Sequence, residues 1–246
     1  MEKTVSSSNA PLKLNMKRTM LIGFAFFGIL LLWQVYDSWC PTFLSEMFAK
    51  TFYPEFAELR QTNTLEAISQ CNDIIEKVQY PVGIMMALDN LAALILLPIF
   101  GNLSDKTHTK IGKRMPYILV GTFVCSVAFP FIPIFFHYNN LVGLIVMMAI
   151  VVFFAMMYRN PAVALMPDIT PKPLRSKANG IINIMGYIGG AFATVVGIGF
   201  VLSEYLGTNL DKESGLYAAR TWAYHNIWAI EAPFLIASVL MLVSAI

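Results

Sequence analysis

An all-α membrane protein with six transmembrane helices is the fold class this 246-residue chain predicts. Three observations carry it. The composition is 57% hydrophobic and 13% charged, where soluble domains carry about 25% charged residues. Six apolar stretches are each long enough to cross about 30 Å of hydrocarbon at about 1.5 Å per residue. Lys and Arg gather in the loops of one side, as cytoplasmic loops do. The net charge of +2 is too small to point to a nucleic-acid partner.

A polar, Ser-rich tail over 1–19 precedes a transmembrane domain over 20–246. The first span, near 20–46, opens with an apolar run too long for a signal-peptide core and has no small-residue cleavage site, so it stays uncleaved. A polar segment from 49 to 80 leads to the second span, near 81–103. A basic loop over 104–114 separates it from the third, near 115–136. A tight turn at His137 to Asn140 joins the fourth span, near 141–166. A second basic loop, 167–178, precedes the fifth, near 179–203, and a polar segment over 204–225 precedes the last, near 226–246.

Eleven basic residues lie on one side: Lys3, Lys13, Lys17 and Arg18, then Lys106, Lys110, Lys113 and Arg114, then Lys172, Arg175 and Lys177. Five lie on the other, namely Lys50, Arg60, Lys77, Lys212 and Arg220. The first side is therefore cytoplasmic, and six spans bring both termini there, in a multi-pass protein of the plasma (cell inner) membrane. The chain stops at Ile246 without the polar flank that anchors a last helix, which is expected of a fragment of a longer protein.

Cys40, Cys71 and Cys125 show neither CxxC spacing nor His neighbours, so no zinc site or redox pair is expected; Cys40 and Cys71 are the two that an outer-side disulfide would join. His108, His137 and His225 are scattered over loops of both sides, and no HExxH or GxSxG motif marks a catalytic centre. These features argue against a membrane-embedded enzyme and against a metal or cofactor.

Ionisable residues inside spans cost about 2.5 to 3.5 kcal/mol each on insertion scales, so each is a candidate functional residue. Asp37 lies late in the first span, near its outer interface, and Asp89 lies about 12 Å into the second from its outer end. Acids in such a cavity can take up and release a proton during a transport cycle. Arg159 lies in the inner half of the fourth span, where it can bind solute hydroxyls, pair with Asp37 or Asp89, or join a cytoplasmic network with Asp105 and Asp168. Trp33, Tyr36 and Trp39, three residues apart around Asp37, form either a stacking platform for a sugar ring or an interfacial aromatic belt. Glu231, about five residues into the last span, reads as interfacial. Gly186, Gly190, Ala193 and Gly197 form small-residue rows suited to close helix packing, and Asn179 and Asn183 lie one turn apart at the start of the same span.

The loop after the second span reads Gly101-Asn102-Leu103-Ser104-Asp105-Lys106, then Gly112-Lys113-Arg114-Met115-Pro116-Tyr117. Gly101 and Gly112 allow sharp turns, and Asp105, Lys113 and Arg114 place charges at helix ends. The pattern of Gly, three residues, Asp, a basic residue, then Gly and two basic residues resembles the signature loop of the major facilitator superfamily. Its lengthened gap and the following Pro-Tyr look like the branch of glycoside-pentoside-hexuronide cation symporters and plant-type sucrose-proton symporters. A second segment, Arg159-Asn160-Pro161 through Pro167-Asp168-Ile169-Thr170 and Arg175-Ser176-Lys177-Ala178-Asn179-Gly180, resembles the junction of the fourth and fifth helices in the same symporters.

The resemblance implies the N-terminal half of a twelve-helix bundle, built as two three-helix inverted repeats, with its site at the midplane between halves. It implies proton-coupled symport of a sugar or glycoside by alternating access. The expected binding residues are Asp37, Asp89, Arg159, Trp33 and Tyr36, and the expected gating residues are Gly101, Asp105, Lys106, Gly112, Lys113, Arg114, Asp168 and Arg175. Ungapped counting places the acidic pair of sodium-coupled melibiose-type carriers at Ala93 and Leu97, neither of which binds a cation through its side chain, so a proton is favoured over sodium. The alternatives are a carrier of the same superfamily moving a different solute and a half-size, non-transporting membrane subunit.

Overall fold

The computed structural model describes residues 14–62, 64–200, 205, 209–210, 217–218 and 226–245. Lys3, Lys13, Lys212, Arg220, His225 and the end at Ile246 lie outside the described residues. Eight α-helices make up almost all of what is described: α1 (Met16–Phe52), α2 (Glu55–Gln61), α3 (Leu65–Lys106), α4 (Met115–Ala128), α5 (Phe131–His137), α6 (Leu141–Ile169), α7 (Arg175–Gly199) and α8 (Trp228–Ala245). A two-residue antiparallel pairing, Asn209–Leu210 with Tyr217–Ala218, lies between α7 and α8. Counting α4 and α5 as one crossing, six helices among the described residues are long and apolar enough to span a membrane.

Caps and prolines set the breaks. The Asn15 side chain accepts from the Arg18 amide, the Thr64 hydroxyl from the Ala67 amide, and the Asn140 side chain from the Gly143 amide, opening α1, α3 and α6. Because α1 starts at Met16, Lys17 and Arg18 of the expected tail lie in its first turn. Pro130 separates α4 from α5, so the third crossing, read as continuous over 115–136, is broken near its far end.

The largest difference from the sequence reading is the segment 49–80, expected as a polar connection. It is mostly helical: α1 runs on to Phe52, α2 occupies Glu55–Gln61, and α3 starts at Leu65 rather than 81. A 42-residue helix is about 63 Å long at 1.5 Å per residue, twice the hydrocarbon thickness, so its first turns project beyond the apolar layer. Hydropathy marks only the apolar part of such a helix, while the Glu, Gln, Lys and Ile residues of 65–80 are sound helix formers. The projection is pinned by a buried Glu46–Arg60 ion pair between α1 and α2, by the buried Phe56 ring, and by the Gln79 amide donating to Ser45 Oγ at 3.2 Å.

α1 is the central helix, packing on α3, α7 and α8, while α4 packs on α6 and α8. Phe43 stacks on Phe136 at 4.2 Å between centroids and on Phe234 at 5.8 Å, and Phe129 meets Phe234 at 4.6 Å. This aromatic cluster fills the core toward the end where α1 finishes, hereafter the far end; the opposite end, carrying the 104–114 loop, is the basic end. Close approach of α1 and α7 depends on Gly189, where a side-chain carbon would strike the Phe27 backbone. Of the small residues singled out above, Gly197 has open space beside it instead, and at Gly190 an added carbon would make only an ordinary contact with Gln34. The three cysteines are free and buried, so Cys40 and Cys71 are not bridged.

Candidate functional site

A cavity of about 380 Å³ opens beside the middle of α1, and Asp37, Asp89, Arg159, Trp33 and Tyr36 all line it. That volume lies within the range of small-molecule sites. α1 supplies Trp33, Tyr36 and Asp37, α3 supplies Asp89, and α6 supplies Arg159. Because α1 runs on to Phe52, Asp37 lies about 22 Å from the helix end. Asp89 is about 36 Å along α3 from Leu65 and about 26 Å from Lys106. Both acids therefore lie in the middle of their helices.

The side chains around the cavity have separate tasks. Tyr36 is 1% exposed and its hydroxyl donates to Asp89 Oδ2 at 2.5 Å, tying α1 to α3. Its ring is therefore not an open stacking face. Trp39 is buried in the aromatic cluster, 5.7 Å from Phe43. Trp33 lines the cavity with the Arg159 guanidinium over its ring at 5.5 Å, and its indole Nε1 is buried without a hydrogen-bond partner. Arg159 acts electrostatically on Asp37 but forms no ion pair within 4 Å among the described residues. Pro41 lacks the N–H that would bond the Asp37 carbonyl, leaving a further acceptor at this level of α1.

Gln34, Asn90, Tyr187 and Gly190 also line the cavity and were not expected there. Gln34 is three residues from Asp37 and so shares its helix face, and Asn90 adjoins Asp89; these spacings are the signal that would have found them. Asn179 and Asn183 do not line it. Glu231, read as interfacial, is 6% exposed, and its Oε2 is buried without a partner. It is buried where α8 packs against α1 and α4.

At the basic end, Arg114 is 8% exposed and bridges two helix C-termini: its Nη2 meets Asp105 Oδ1 at 2.9 Å and its Nε donates to Asp168 Oδ2 at 2.6 Å. Lys113 adds contacts of 3.9 Å to Asp105 and 3.6 Å to Asp168. Cations placed there offset both the carboxylates and the negative ends of α3 and α6. Arg175 donates to the Pro167 carbonyl at 2.7 Å and the Thr170 carbonyl at 3.2 Å, capping α6 from the first residue of α7. Lys106 closes α3 as its last residue. Arg159 is not a member of this network. Gly112 has a positive φ of 106°, as the turn requires, but Gly101 is helical and makes room for the Asn160 amide rather than for a turn. That amide donates to the Leu97 carbonyl at 2.8 Å, fastening α6 to α3 just below the cavity.

The family model of the Major Facilitator Superfamily matches residues 39–246, which takes in Asp89, Arg159 and the basic-end network. The chain belongs to the major facilitator superfamily. The superfamily is made up of transporters of small solutes rather than enzymes, and the six membrane-long helices make this member a multi-pass membrane protein. No curated protein and no solved structure matches the chain. Ala93 lines the cavity and the Leu97 carbonyl is taken by Asn160, so neither position offers the cavity a carboxylate.

Proposed function

We propose that the chain is the N-terminal half of a proton-coupled symporter for a sugar or glycoside, working by alternating access in the plasma (inner) membrane with its basic end and both termini cytoplasmic. The observation that carries this reading is the gathering of Asp37, Asp89, Arg159 and the Trp33 ring around one cavity in the middle of the helices. Two carboxylates and one guanidinium leave one negative charge when all are ionised. A site at membrane depth is most stable near neutrality, so one proton entering with a neutral solute balances it. Proton rather than sodium coupling is supported by the absence of carboxylates at Ala93 and Leu97. Asp37, Asn90 and Gln34 supply polar partners for hydroxyl groups, and the half-buried Trp33 ring supplies apolar surface.

Gln34, Asp37 and Asn90 are exposed, and Asp89 is half-buried, on this chain at a depth where lipid would meet them. That placement supports a second six-helix half covering the cavity. The alternative solute is an anion: the Arg159 guanidinium, which lines the cavity and forms no ion pair among the described residues, suits a carboxylate. Such a solute would need two protons for the same balance. Uptake by the full-length gene product, measured against neutral sugars, glycosides and uronates with and without a proton gradient, tests the reading. Accumulation of a neutral sugar that collapses with the gradient supports it, and gradient-independent uptake of every solute overturns it.

A further inference from the structure

A cavity of about 200 Å³ lies at the basic end among α1, α4, α6 and α8, and it shares no lining residue with the cavity of Asp37 and Asp89. Leu21, Ile22 and Ile29 of α1, Met115 and Ile118 of α4 and Leu165 of α6 give its apolar character. Its lining among the described residues carries no charge, and its two hydroxyls are engaged within their own helices. Thr122 Oγ1 donates to the Ile118 carbonyl at 2.7 Å, and Ser244 Oγ to the Met241 carbonyl at 2.8 Å. With no donor to offer, the space suits neither water nor a sugar. Met115 opens α4, Ala245 closes α8, and Thr122 is about 10 Å along α4 from Met115, so the cavity lies within one leaflet of an apolar layer about 30 Å thick.

This cavity also has a lateral neighbour. A groove of about 370 Å³ between α4 and α8 shares Thr122 and Ala245 with it, and the groove's Val120 and Phe123 are exposed at a depth where the solvent is hydrocarbon. A cation stands at the outer end. Arg18 lies three, four, seven and eleven residues before Leu21, Ile22, Ala25 and Ile29, which places it on the cavity face of α1, one turn nearer the membrane surface. It is exposed and forms no ion pair among the described residues, whereas Arg114 and Lys113 at the same end are engaged by Asp105 and Asp168. A guanidinium above an apolar slot complements a molecule with an anionic head and an apolar tail.

We propose that the cavity and groove bind one anionic phospholipid of the basic-end leaflet, with its phosphate on Arg18, one acyl chain inside the bundle and the other along α4 and α8. An apolar space that no protein atom fills forfeits dispersion contacts, and an acyl chain restores them where lipid is the solvent. The site needs only that the bundle spans a membrane, as its six long apolar helices do, so it stands apart from the identity of the solute.

The full-length protein, in phosphatidylcholine bilayers, is exposed to a trace of phosphatidylglycerol carrying a photoreactive diazirine in one acyl chain, and the attachment points are read by peptide mass spectrometry. Attachment is expected at Ala25, Ile29 or Ile118, inside the bundle. The same probe with a phosphatidylcholine head should label them about fivefold less, since one cation near the surface is worth about 1 kcal/mol toward an anionic lipid. Arg18→Gln should lower the phosphatidylglycerol labelling by the same factor, while Lys110→Gln, which removes an exposed cation of the same end away from the cavity lining, should leave it unchanged. Ala245→Trp, which fills the join of cavity and groove, should abolish it. Equal labelling by the two heads in the unaltered protein means ordinary boundary lipid and overturns the site, whether or not the variants fold. Labelling confined to Val120 and Phe123 means that another part of the full-length protein fills the cavity, and overturns it as well.

Discussion

Asp89 and Asp37 share one cavity but are held differently. Asp89 accepts from the Tyr36 hydroxyl at 2.5 Å, while Asp37 makes no side-chain hydrogen bond among the described residues and has Arg159 as its electrostatic partner. A carboxyl fixed to a neighbouring helix can report its protonation as a change in helix contact, which is what coupling requires. Asp89→Asn in the full-length carrier is therefore expected to abolish gradient-driven accumulation while solute exchange persists, since exchange need not cycle the proton. Unchanged concentrative uptake across pH 5 to 8 would remove Asp89 from that role. Glu231 presents the opposite case, a buried carboxyl with an unpartnered oxygen. Replacing it with an apolar chain of similar length, Glu231→Met, should stabilise the fold by about 1–3 kcal/mol. Thermal unfolding in detergent would show a raised midpoint, and a lowered one would mean that the carboxyl has a necessary partner. Asp37, Asp89 and Arg159 were legible in the sequence because a charge inside an apolar run is rare. The hydroxyl task of Tyr36 was not, because an amphipathic ring serves equally as core, belt or donor.

At the scale of helices, the ends of α3 and α6 are joined through one guanidinium. Arg114 and Lys113 neutralise Asp105 and Asp168 within this chain. The network lies at the helix ends, remote from the cavity at mid-helix, so it can bias the balance of carrier states without touching solute. Asp105→Ala is accordingly expected to slow transport with solute affinity nearly unchanged. Half of the Asp105 side chain is exposed, so its ion pair adds little stability on its own, about 0–1 kcal/mol. A large loss of affinity at normal turnover would contradict this assignment. The charged residues and spacing of this network were visible in the sequence, but its partners were not, because pairing depends on how α3, α4 and α6 end relative to one another. The extension of α3 over 65–80 was hidden for another reason. Hydropathy identifies what lipid covers, and a helix that leaves the membrane changes its solvent without changing its backbone.

The whole bundle has an apolar interior and one flank on which Gln34, Asp37, Ser38 and Asn90 are exposed and Asp89 is half-buried. Apolar side chains such as Leu94, Tyr187 and Val195 share the exposed surface of α3 and α7, which is ordinary for a membrane protein; the carboxylates and amides at the same depth are not. Every one of these polar groups meets lipid, water or another protein, and only the last two are compatible with a stable membrane fold. Residues 1–246 alone are therefore expected to insert into a bilayer but not to transport. The cavity that gathers Asp37, Asp89 and Arg159 has a wall on one side only, and alternating access needs a second body to rock against it. Self-association is the route by which the isolated chain would cover that flank, so its oligomeric state in detergent should be measured alongside its activity. Proteoliposomes holding the 246-residue chain under a proton gradient give the deciding measurement. Solute retained no better than in protein-free vesicles is the expected result, whereas accumulation above that level would mean that six helices, alone or as a self-assembled pair, make a complete carrier.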